Sequence, residues 1–361
     1  MGTRIDTRSA SRGLSSIYKK VNYMNNVFYF KKINSCGGIE SFFYYLAQKY
    51  NFKVYYKDGD PKQVKRLSQL VEVHKYKEPI KCDKFFCNYG LDIEVEAKEK
   101  YEMIHCDFKQ VDFKPLVYDG FKYIGVSKLA CDSFTELTGQ ECELIYNPID
   151  IEKPKVEKYN DGKLHLISAT RLTKEKGLQR MQKLAKMLEQ AGIDYEWVVY
   201  TNRKRQPIGN NVIYKDTELD IIKEIAKADY LVQLSDCESY CYSVVEALMV
   251  GTPVIVTDLP VFKELGLKNG VNAYICDFNM KDIQIDQIAK KSLKMAYKPP
   301  KSEWGKHLST EKTYNQNEIV EVRTLKRIYL VEENIHAGYG EKIKVTKARA
   351  SELEAKGLIE W

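Results

Sequence analysis

Short apolar runs and amphipathic stretches alternate along most of the chain. The first apolar run covers residues 27–33, and residues 37–50 after it place apolar side chains at helical spacing. The same order continues to residue 297, with further strands predicted at 164–169 and 195–201 and a last helix over 283–297. Strands that alternate with helices are typical of parallel sheets in α/β proteins.

Two polar segments divide the chain. Residues 151–162 predict a linker between a first α/β domain, 24–150, and a second, 163–300. Residues 309–317 predict a second linker.

The two ends of the chain lie outside this alternation. Residues 1–23 are rich in Ser, Thr and Arg without periodicity, and we expect a flexible arm of uncertain origin. Residues 318–361 predict a small appended α+β module with strands at 320–331 and 343–345 and a helix over 346–356. A segment of this size folds poorly alone, so we expect the module to pack on the main body or on another chain.

Composition is that of an ordinary soluble globular protein, with 44% hydrophobic and 30% charged residues in 361. No apolar run reaches the ~18 residues that span a bilayer, and no signal peptide is expected. Nine cysteines without paired Cys-x-x-Cys spacing favour reduced thiols over disulfides or a zinc site. More than half of the net charge of +7 comes from residues 1–23, so the rest carries no strong nucleic-acid signal.

Two glutamates flank a predicted strand-to-helix junction in the second domain. Glu238 follows the apolar run 229–234, and Glu246 lies one turn inside the helix predicted over 243–250. Ligands bind at the carboxyl edge of open α/β sheets, where helix N-termini present free N–H groups to phosphates. The junction is therefore a candidate ligand site.

A Gly-Gly pair and two cations occupy two other strand-to-helix turns. Gly37 and Gly38 follow the first strand, where glycines let the backbone approach a ligand and leave helical N–H groups free for an anion. Taken alone, such a pair is more often only a turn. Arg171 and Lys176 precede a helix, where the helix dipole disfavours cations unless an anion binds.

These motifs resemble the signature of the retaining glycosyltransferases of family 4, the glycosyl transferases group 1. The family carries Gly-Gly-x-Glu, then Arg-Leu-x-x-x-Lys-Gly, then two glutamates eight positions apart followed by Gly-x-Pro-Val. All three are present in this order, beginning at Gly37, Arg171 and Glu238, and the resemblance covers roughly residues 25–300. It implies the GT-B fold, in which two doubly wound Rossmann-like α/β domains face each other across a cleft.

The resemblance also implies a set of site residues. The donor-binding set is Gly37, Gly38, Arg171, Lys176, Glu238, Tyr240, Ser243 and Glu246, and the catalytic set is Glu238, His105, Arg171 and Lys176. The sequence departs from the family in the loop after Glu238, where Ser239 and Cys241 stand at positions that are often glycine, and at His105, where Cys106 separates the histidine from an aspartate that is often adjacent. We expect Ser239 and Cys241 to stiffen the loop.

The resemblance implies that these side chains bind different parts of the nucleotide sugar. Glu246 would bind the ribose, Glu238 the transferred sugar, and Arg171 and Lys176 the diphosphate, with the Gly-Gly turn closing on it from the first domain. His105 would contact the sugar or the acceptor; a packed or surface histidine is an equal alternative. Because cations then compensate the charge of the leaving group, neither a metal nor a cofactor is expected.

The implied function is transfer of a sugar from a nucleoside-diphosphate sugar to an acceptor. The alternatives are a sugar-nucleotide epimerase of the same fold and a non-catalytic sugar-nucleotide-binding protein. We expect a cytoplasmic protein, free or peripheral to a membrane, whose C-terminal module is a candidate for self-association. The donor base, the sugar and the acceptor, whether glycan, lipid-linked, protein or small molecule, stay open.

Overall fold

The computed structural model describes residues 25–202, 205–293, 295–308, 319–330, 335–346, 349–350, 353–354 and 357–360. The chain forms two compact units, Met1–Thr310 and Glu311–Trp361. The predicted arm, 1–23, and the predicted linker, 309–317, lie outside the described residues.

Seven parallel strands form the sheet of the first domain. The elements are β1 (Asn26–Ile33), α1 (Gly38–Lys49), β2 (Lys53–Gly59), α2 (Pro61–Ser68), β3 (Glu72–Lys75), β4 (Ile80–Asn88), β5 (Val95–Ile104), β6 (Phe121–Gly125), α3 (Lys128–Thr138) and β7 (Cys142–Leu144). The strand order is β3-β2-β1-β4-β5-β6-β7, so the chain winds outward from β1 in both directions.

A second parallel sheet, of six strands, follows within the same unit. The elements are β8 (Leu164–Ala169), α4 (Leu178–Gln190), β9 (Tyr195–Tyr200), β10 (Val212–Lys215), α5 (Ile222–Lys227), β11 (Tyr230–Gln233), α6 (Tyr242–Val250), β12 (Val254–Thr257), α7 (Pro260–Glu264), β13 (Ala273–Cys276) and α8 (Ile285–Ala289). The order is β10-β9-β8-β11-β12-β13, again doubly wound. None of the helices in the described part of the chain has the length and hydropathy of a membrane-spanning segment.

Local chemistry sets the helix ends that position the cleft. Ser127 precedes α3, and its hydroxyl accepts a hydrogen bond from the Ala130 N–H over 3.2 Å, as an N-cap residue does. A second-domain carboxylate adds to this cap, because Glu264 accepts from the Lys128 N–H over 2.5 Å. The acidic side chain meets the positive end of the helix dipole and ties α3 to the second domain.

The end of the first unit returns to the first domain. Trp304 is fully buried, and its ring lies 5.4–6.0 Å from the rings of Phe28, Phe42 and Phe86, which all belong to the first domain. His307 follows it, and its Nε2 lies 2.9 Å from a Glu143 carboxylate oxygen. This return was not predicted from the sequence.

The predicted helix over 283–297 is wrong in extent. α8 ends at Ala289, and Lys291 has a left-handed φ of 53°, which a helix does not continue through. Beyond it, Met295 and Tyr297 pack against the large apolar cluster that contains residues of both domains. The apolar side chains of Met295 and Tyr297, which favoured a longer helix in the sequence, therefore belong to a segment that follows α8 and packs against this cluster.

The second unit has two small antiparallel sheets. Its strands are β14 (Ile319–Thr324), β15 (Ile328–Leu330), β16 (Ile335–Ala337), β17 (Lys342–Thr346) and β18 (Ile359–Glu360). The first sheet has the order β17-β14-β18 and the second pairs β15 with β16. The strand predicted over 320–331 is thus two strands, with residue 331 outside the described part. Of the helix predicted over 346–356, residues 349–350 and 353–354 are described and helical; residues 347–348, 351–352 and 355–356 lie outside the described residues.

Candidate active site

One cavity of about 820 Å³ lies between the two parallel sheets of the first unit. It is lined by all nine side chains or glycines that the sequence assigns to the site: Gly37, Gly38, His105, Arg171, Lys176, Glu238, Tyr240, Ser243 and Glu246. The predicted set, which spans more than 200 positions of the chain, is therefore brought together at one place.

The Gly-Gly turn is held from below by a buried carboxylate. Glu40 accepts hydrogen bonds from the Asn34 N–H over 2.7 Å and from the Asn34 side-chain amide over 3.1 Å. A Cβ at Gly37 would lie 2.4 Å from the Glu40 carboxylate, whereas one at Gly38 would meet nothing within 4 Å. A side chain at Gly37 would thus displace the Glu40 carboxylate, whereas Gly38 leaves the backbone open to the cavity. Glu40 thereby supports the turn.

The second motif requires glycine beside its lysine. Gly177 directly precedes α4 with a φ of 80°, and a Cβ there would lie 1.8 Å from the Leu234 carbonyl oxygen. Only glycine adopts this conformation at this distance without moving the backbone. The close approach places Lys176 next to the loop that carries Glu238.

Glu238 is the centre of a hydrogen-bond cluster. Its Oε1 accepts from Lys176 Nζ and from the Ser235 hydroxyl, each over 2.7 Å, and from the Gln233 amide over 3.2 Å. The Glu238 side chain is only 11% exposed. Three donors from β11, its following loop and the α4 motif thus fix the carboxylate at the cavity wall.

The two cations of the motif differ in environment. Burial favours the neutral form of Lys176, but the adjacent Glu238 carboxylate outweighs it, so the pKa of Lys176 is raised and the amine stays charged. The Arg171 side chain is 47% exposed, and its contact with Glu175 is a loose 3.7 Å. Arg171 therefore presents a guanidinium to the cavity with little compensation.

Glu246 is bonded across the cleft. Its Oε1 accepts a hydrogen bond from the hydroxyl of Tyr45, on α1 of the first domain, over 2.9 Å. Burial raises the pKa of Glu246 to about 7, although the Tyr45 hydrogen bond and the nearby Arg66 charge act in the opposite direction. The Tyr45 ring also stacks on Tyr242, with centroids 5.4 Å apart. The Glu246 carboxylate, which belongs to the second domain, therefore also contacts the first domain.

Two residues of the loop after Glu238, Ser239 and Cys241, differ in how they shape it. The Ser239 hydroxyl accepts a hydrogen bond from the Asp107 N–H of the first domain over 3.0 Å. Cys241 has a left-handed φ of 66°, a conformation that glycine adopts freely and a side chain does not.

Two tyrosines of the same loop reach the segment that joins the domains. The Tyr240 and Tyr242 hydroxyls donate to the carbonyl oxygens of Asn147 and Pro148, over 3.3 and 2.9 Å. The loop is thus anchored both to the first domain and to the connection between the domains.

His105 lies at the carboxyl end of β5. Its Nε2 is 2.6 Å from the amide oxygen of Asn88, which ends the neighbouring strand β4. Burial lowers the pKa of His105 to about 3, so the ring is neutral at physiological pH. His105 can exchange hydrogen bonds with a hydroxyl in the cavity but does not supply a positive charge there.

Several cavity residues were missed from the sequence. Tyr45 and Arg66, of α1 and α2, and Gln233, at the end of β11, line the cavity. Ser235 and Asn88 support it from behind the lining, because they hydrogen-bond to Glu238 and His105, and each ends or follows a strand. The position after a strand was a usable signal for the last three. Tyr45 carried none, because it lies within an apolar helix face. Among the described residues, no group of three or more His, Cys, Asp and Glu side chains is arranged to hold a metal.

The second domain matches a known family. Residues 150–303 fit the model of the glycosyl transferases group 1. The predicted resemblance to this family is confirmed. No curated protein sequence matches the chain. The roles that the resemblance assigns to the nine cavity residues stay predictions.

Solved structures of glycosyltransferases share the fold. HepE of Anabaena, solved in complex with UDP and glucose, is 16% identical with a TM-score of 0.59 and covers 74% of this chain and 89% of its own. A glycosyltransferase from Rickettsia africae is 12% identical with a TM-score of 0.51 and covers 74% and 87%. The lipopolysaccharide outer core galactosyltransferase WaaB is 14% identical with a TM-score of 0.51 and covers 74% and 89%. With the two parallel doubly wound sheets, these matches confirm the predicted GT-B fold class.

Proposed function

We propose that this protein transfers a sugar from a nucleoside-diphosphate sugar to an acceptor, with retention of configuration and without a metal. The observation that carries the proposal is the joint placement of Arg171, Lys176, Glu238 and Glu246 on one cavity of a group 1 glycosyltransferase fold. HepE, which has this fold, was solved with UDP and glucose, and UDP is therefore the first nucleotide to test.

The diphosphate would bind at the cationic wall. Charge on a nucleoside diphosphate grows as its bond to the sugar breaks, so a fixed cation nearby stabilises the transition state more than the ground state. Arg171 is half-exposed and weakly paired, and its guanidinium can bind two phosphate oxygens at once. Lys176, held by Glu238, supplies a positioned point charge. Two such groups provide the electrostatic role that a divalent ion plays elsewhere.

The two glutamates would recognise different parts of the donor. Glu246 would accept hydrogen bonds from the ribose hydroxyls, because an ionised carboxylate is an acceptor for both. Glu238 has one oxygen engaged by three donors, which leaves Oε2 for a sugar hydroxyl. His105, neutral and anchored to Asn88, would contact a hydroxyl of the sugar or the acceptor.

A binding screen tests the donor site. Nucleoside diphosphates with different bases are titrated calorimetrically in excess EDTA, and we expect UDP to bind while the Glu246→Gln variant binds it more weakly. Glu238→Gln should keep most UDP affinity and lose turnover, because its contact is to the sugar. If no nucleoside diphosphate binds, or binding needs added magnesium or manganese, the proposed site is wrong in its ligand or its electrostatics. The configuration of the anomeric carbon in the product, read by NMR, decides retention.

A further inference from the structure

Exposed apolar side chains gather at the first-domain mouth of the cavity. Tyr89, Phe113, Leu116 and Val117 are 44–51% exposed and make up four of the eleven large exposed hydrophobic side chains in the described part of the chain. Tyr89 and Phe113 have ring centroids 6.0 Å apart, and a Leu116 methyl lies 3.6 Å from the Cβ position of Gly90. We call Tyr89, Phe113 and Leu116, together with Val117, which follows Leu116 in the chain, the apolar platform. Clustered exposed hydrophobic surface beside a cleft is typical of a binding site.

The platform is held in place by a strained turn. Tyr89 has a left-handed φ of 49°, which is unusual for a bulky side chain, and Gly90 follows with 98°. The Glu102 carboxylate, which is buried beneath, accepts a hydrogen bond from the Gly90 N–H. The Leu91 N–H donates to the Tyr118 hydroxyl over 3.0 Å and so joins this turn to the loop that carries the other three platform residues. Such strain persists at sites where the surrounding structure fixes it.

The platform continues into the cavity through Tyr89. Tyr89 is itself a cavity-lining residue, and its ring centroid lies 6.2 Å from that of His105. A molecule whose hydroxyl reaches the cavity beside His105 would therefore lay its adjoining part on the platform. That part meets aromatic and aliphatic side chains, so hydrocarbon is the chemistry that fits.

We propose that the acceptor is an amphiphile: its accepting hydroxyl enters the cavity beside His105, and an alkyl chain next to that hydroxyl lies on the apolar platform. This inference rests on the proposed transferase function and adds the class of acceptor. The loop 106–120 carries Lys109 and Lys114 against three aspartates, so it offers no net positive charge to an anionic bilayer. The platform is therefore assigned to the chain of a single acceptor molecule and not to adsorption on a membrane surface.

Alkyl glucosides of increasing chain length test the platform. Methyl, n-butyl, n-hexyl and n-octyl β-D-glucoside, below their critical micelle concentrations, are titrated into the full-length protein saturated with UDP. With the sugar constant, affinity should rise up to about fourfold for each methylene that the platform buries. In Phe113→Ser and Leu116→Ser, the affinity should rise less with each added methylene. Leu137→Ser, a leucine on α3 that is 52% exposed, is the matched control and should keep the wild-type dependence on chain length.

The outcomes separate this inference from the function on which it rests. Equal affinity for all chain lengths, or the same dependence in Leu116→Ser as in wild type, overturns the platform. UDP affinity measured on every variant confirms that the donor site is intact; failure to bind UDP in the wild type contradicts the proposed function instead. Co-sedimentation with vesicles of phosphatidylcholine and phosphatidylglycerol is measured in parallel. Vesicle binding that Phe113→Ser abolishes, without chain-length dependence, would assign the platform to a membrane surface.

Discussion

The Tyr45 hydroxyl donates a hydrogen bond to the Glu246 carboxylate across the cleft, over 2.9 Å and 201 positions of sequence. This contact joins the first helix of one domain to the helix that the proposal gives to the nucleotide ribose. Burial at the same place holds the pKa of Glu246 at about 7, so its charge changes within the physiological range. If Glu246 binds the ribose as proposed, nucleotide affinity depends on the protonation of this carboxyl.

The affinity for UDP should rise with pH through about 7. The ionised carboxylate is the form that accepts from both ribose hydroxyls, and it is depleted below the folded pKa of about 7. Between pH 8 and pH 6 we expect a loss of about tenfold in affinity, measured by calorimetry in buffers of matched ionic strength.

Two variants separate the titration of the Glu246 carboxyl from that of the UDP phosphate, which also titrates in this pH range. In Glu246→Gln, the part of the pH dependence of UDP affinity that comes from the phosphate should remain, and the part that comes from the carboxyl should be lost. Tyr45→Phe retains the ring that stacks on Tyr242 but removes a hydrogen bond that lowers the pKa, so its midpoint should move to higher pH. An unchanged profile in both variants would show that Glu246 does not contact the nucleotide.

The same carboxyl should cost stability at neutral and alkaline pH. Its folded pKa lies above the unfolded value, so the folded state binds the proton more tightly and loses stability as pH rises from about 4.5 to about 7. Glu246→Gln, whose amide oxygen still accepts from Tyr45, should be more stable than wild type by about 1–3 kcal/mol at pH 8 and nearly equal at pH 4.5. Calorimetric unfolding at the two pH values measures it; a destabilised variant at pH 8 would contradict the burial argument.

Alanine variants of Arg171 and Lys176, both proposed to serve turnover, should differ in stability. Each alanine variant should lose on the order of 100-fold in kcat, as expected when a leaving-group cation is removed. Arg171→Ala should leave Tm nearly unchanged, because that side chain is 47% exposed. Lys176→Ala should lower Tm, because it leaves the 11%-exposed Glu238 without its cation. Equal Tm in the two variants would mean that the Lys176–Glu238 pair is not structural.

Cys241 offers a test of backbone strain beside the site. A side chain at a left-handed φ of 66° is unfavourable by about 1 kcal/mol, and glycine removes that term. Cys241→Ala keeps the Cβ and serves as the matched control for the lost thiol. We expect Cys241→Gly to unfold at higher temperature than Cys241→Ala; the reverse order would mean that the entropy of glycine in the unfolded chain outweighs the strain.

The buried strands were predicted from the sequence more accurately than the edge strands. Residues 164–169 were predicted and observed as β8 without change, because five of the six are buried and four of the six are apolar. β3, with Glu72 and Lys75 at its ends, and β10 were missed because edge strands are short and largely exposed.

The identities of the site residues could be predicted from the sequence, but their contacts with one another could not. Strand-to-helix turns marked Gly37, Arg171 and Glu238, because ligand sites recur at that edge of α/β sheets. Contacts that depend on how one sheet faces the other, such as Tyr45 to Glu246 and Ser239 to Asp107, have no local signature. Neither does the platform, whose residues come from two separate loops.

The position of Trp304 changes how the chain is divided. Because this indole completes the interior around Phe28, Phe42 and Phe86, the second domain is an insertion within the first and not its successor. An expression fragment that stops at residue 150 would lack a ring from its own core. The chain also crosses between the two domains twice, so a cut in one crossing would leave the domains covalently joined through the other.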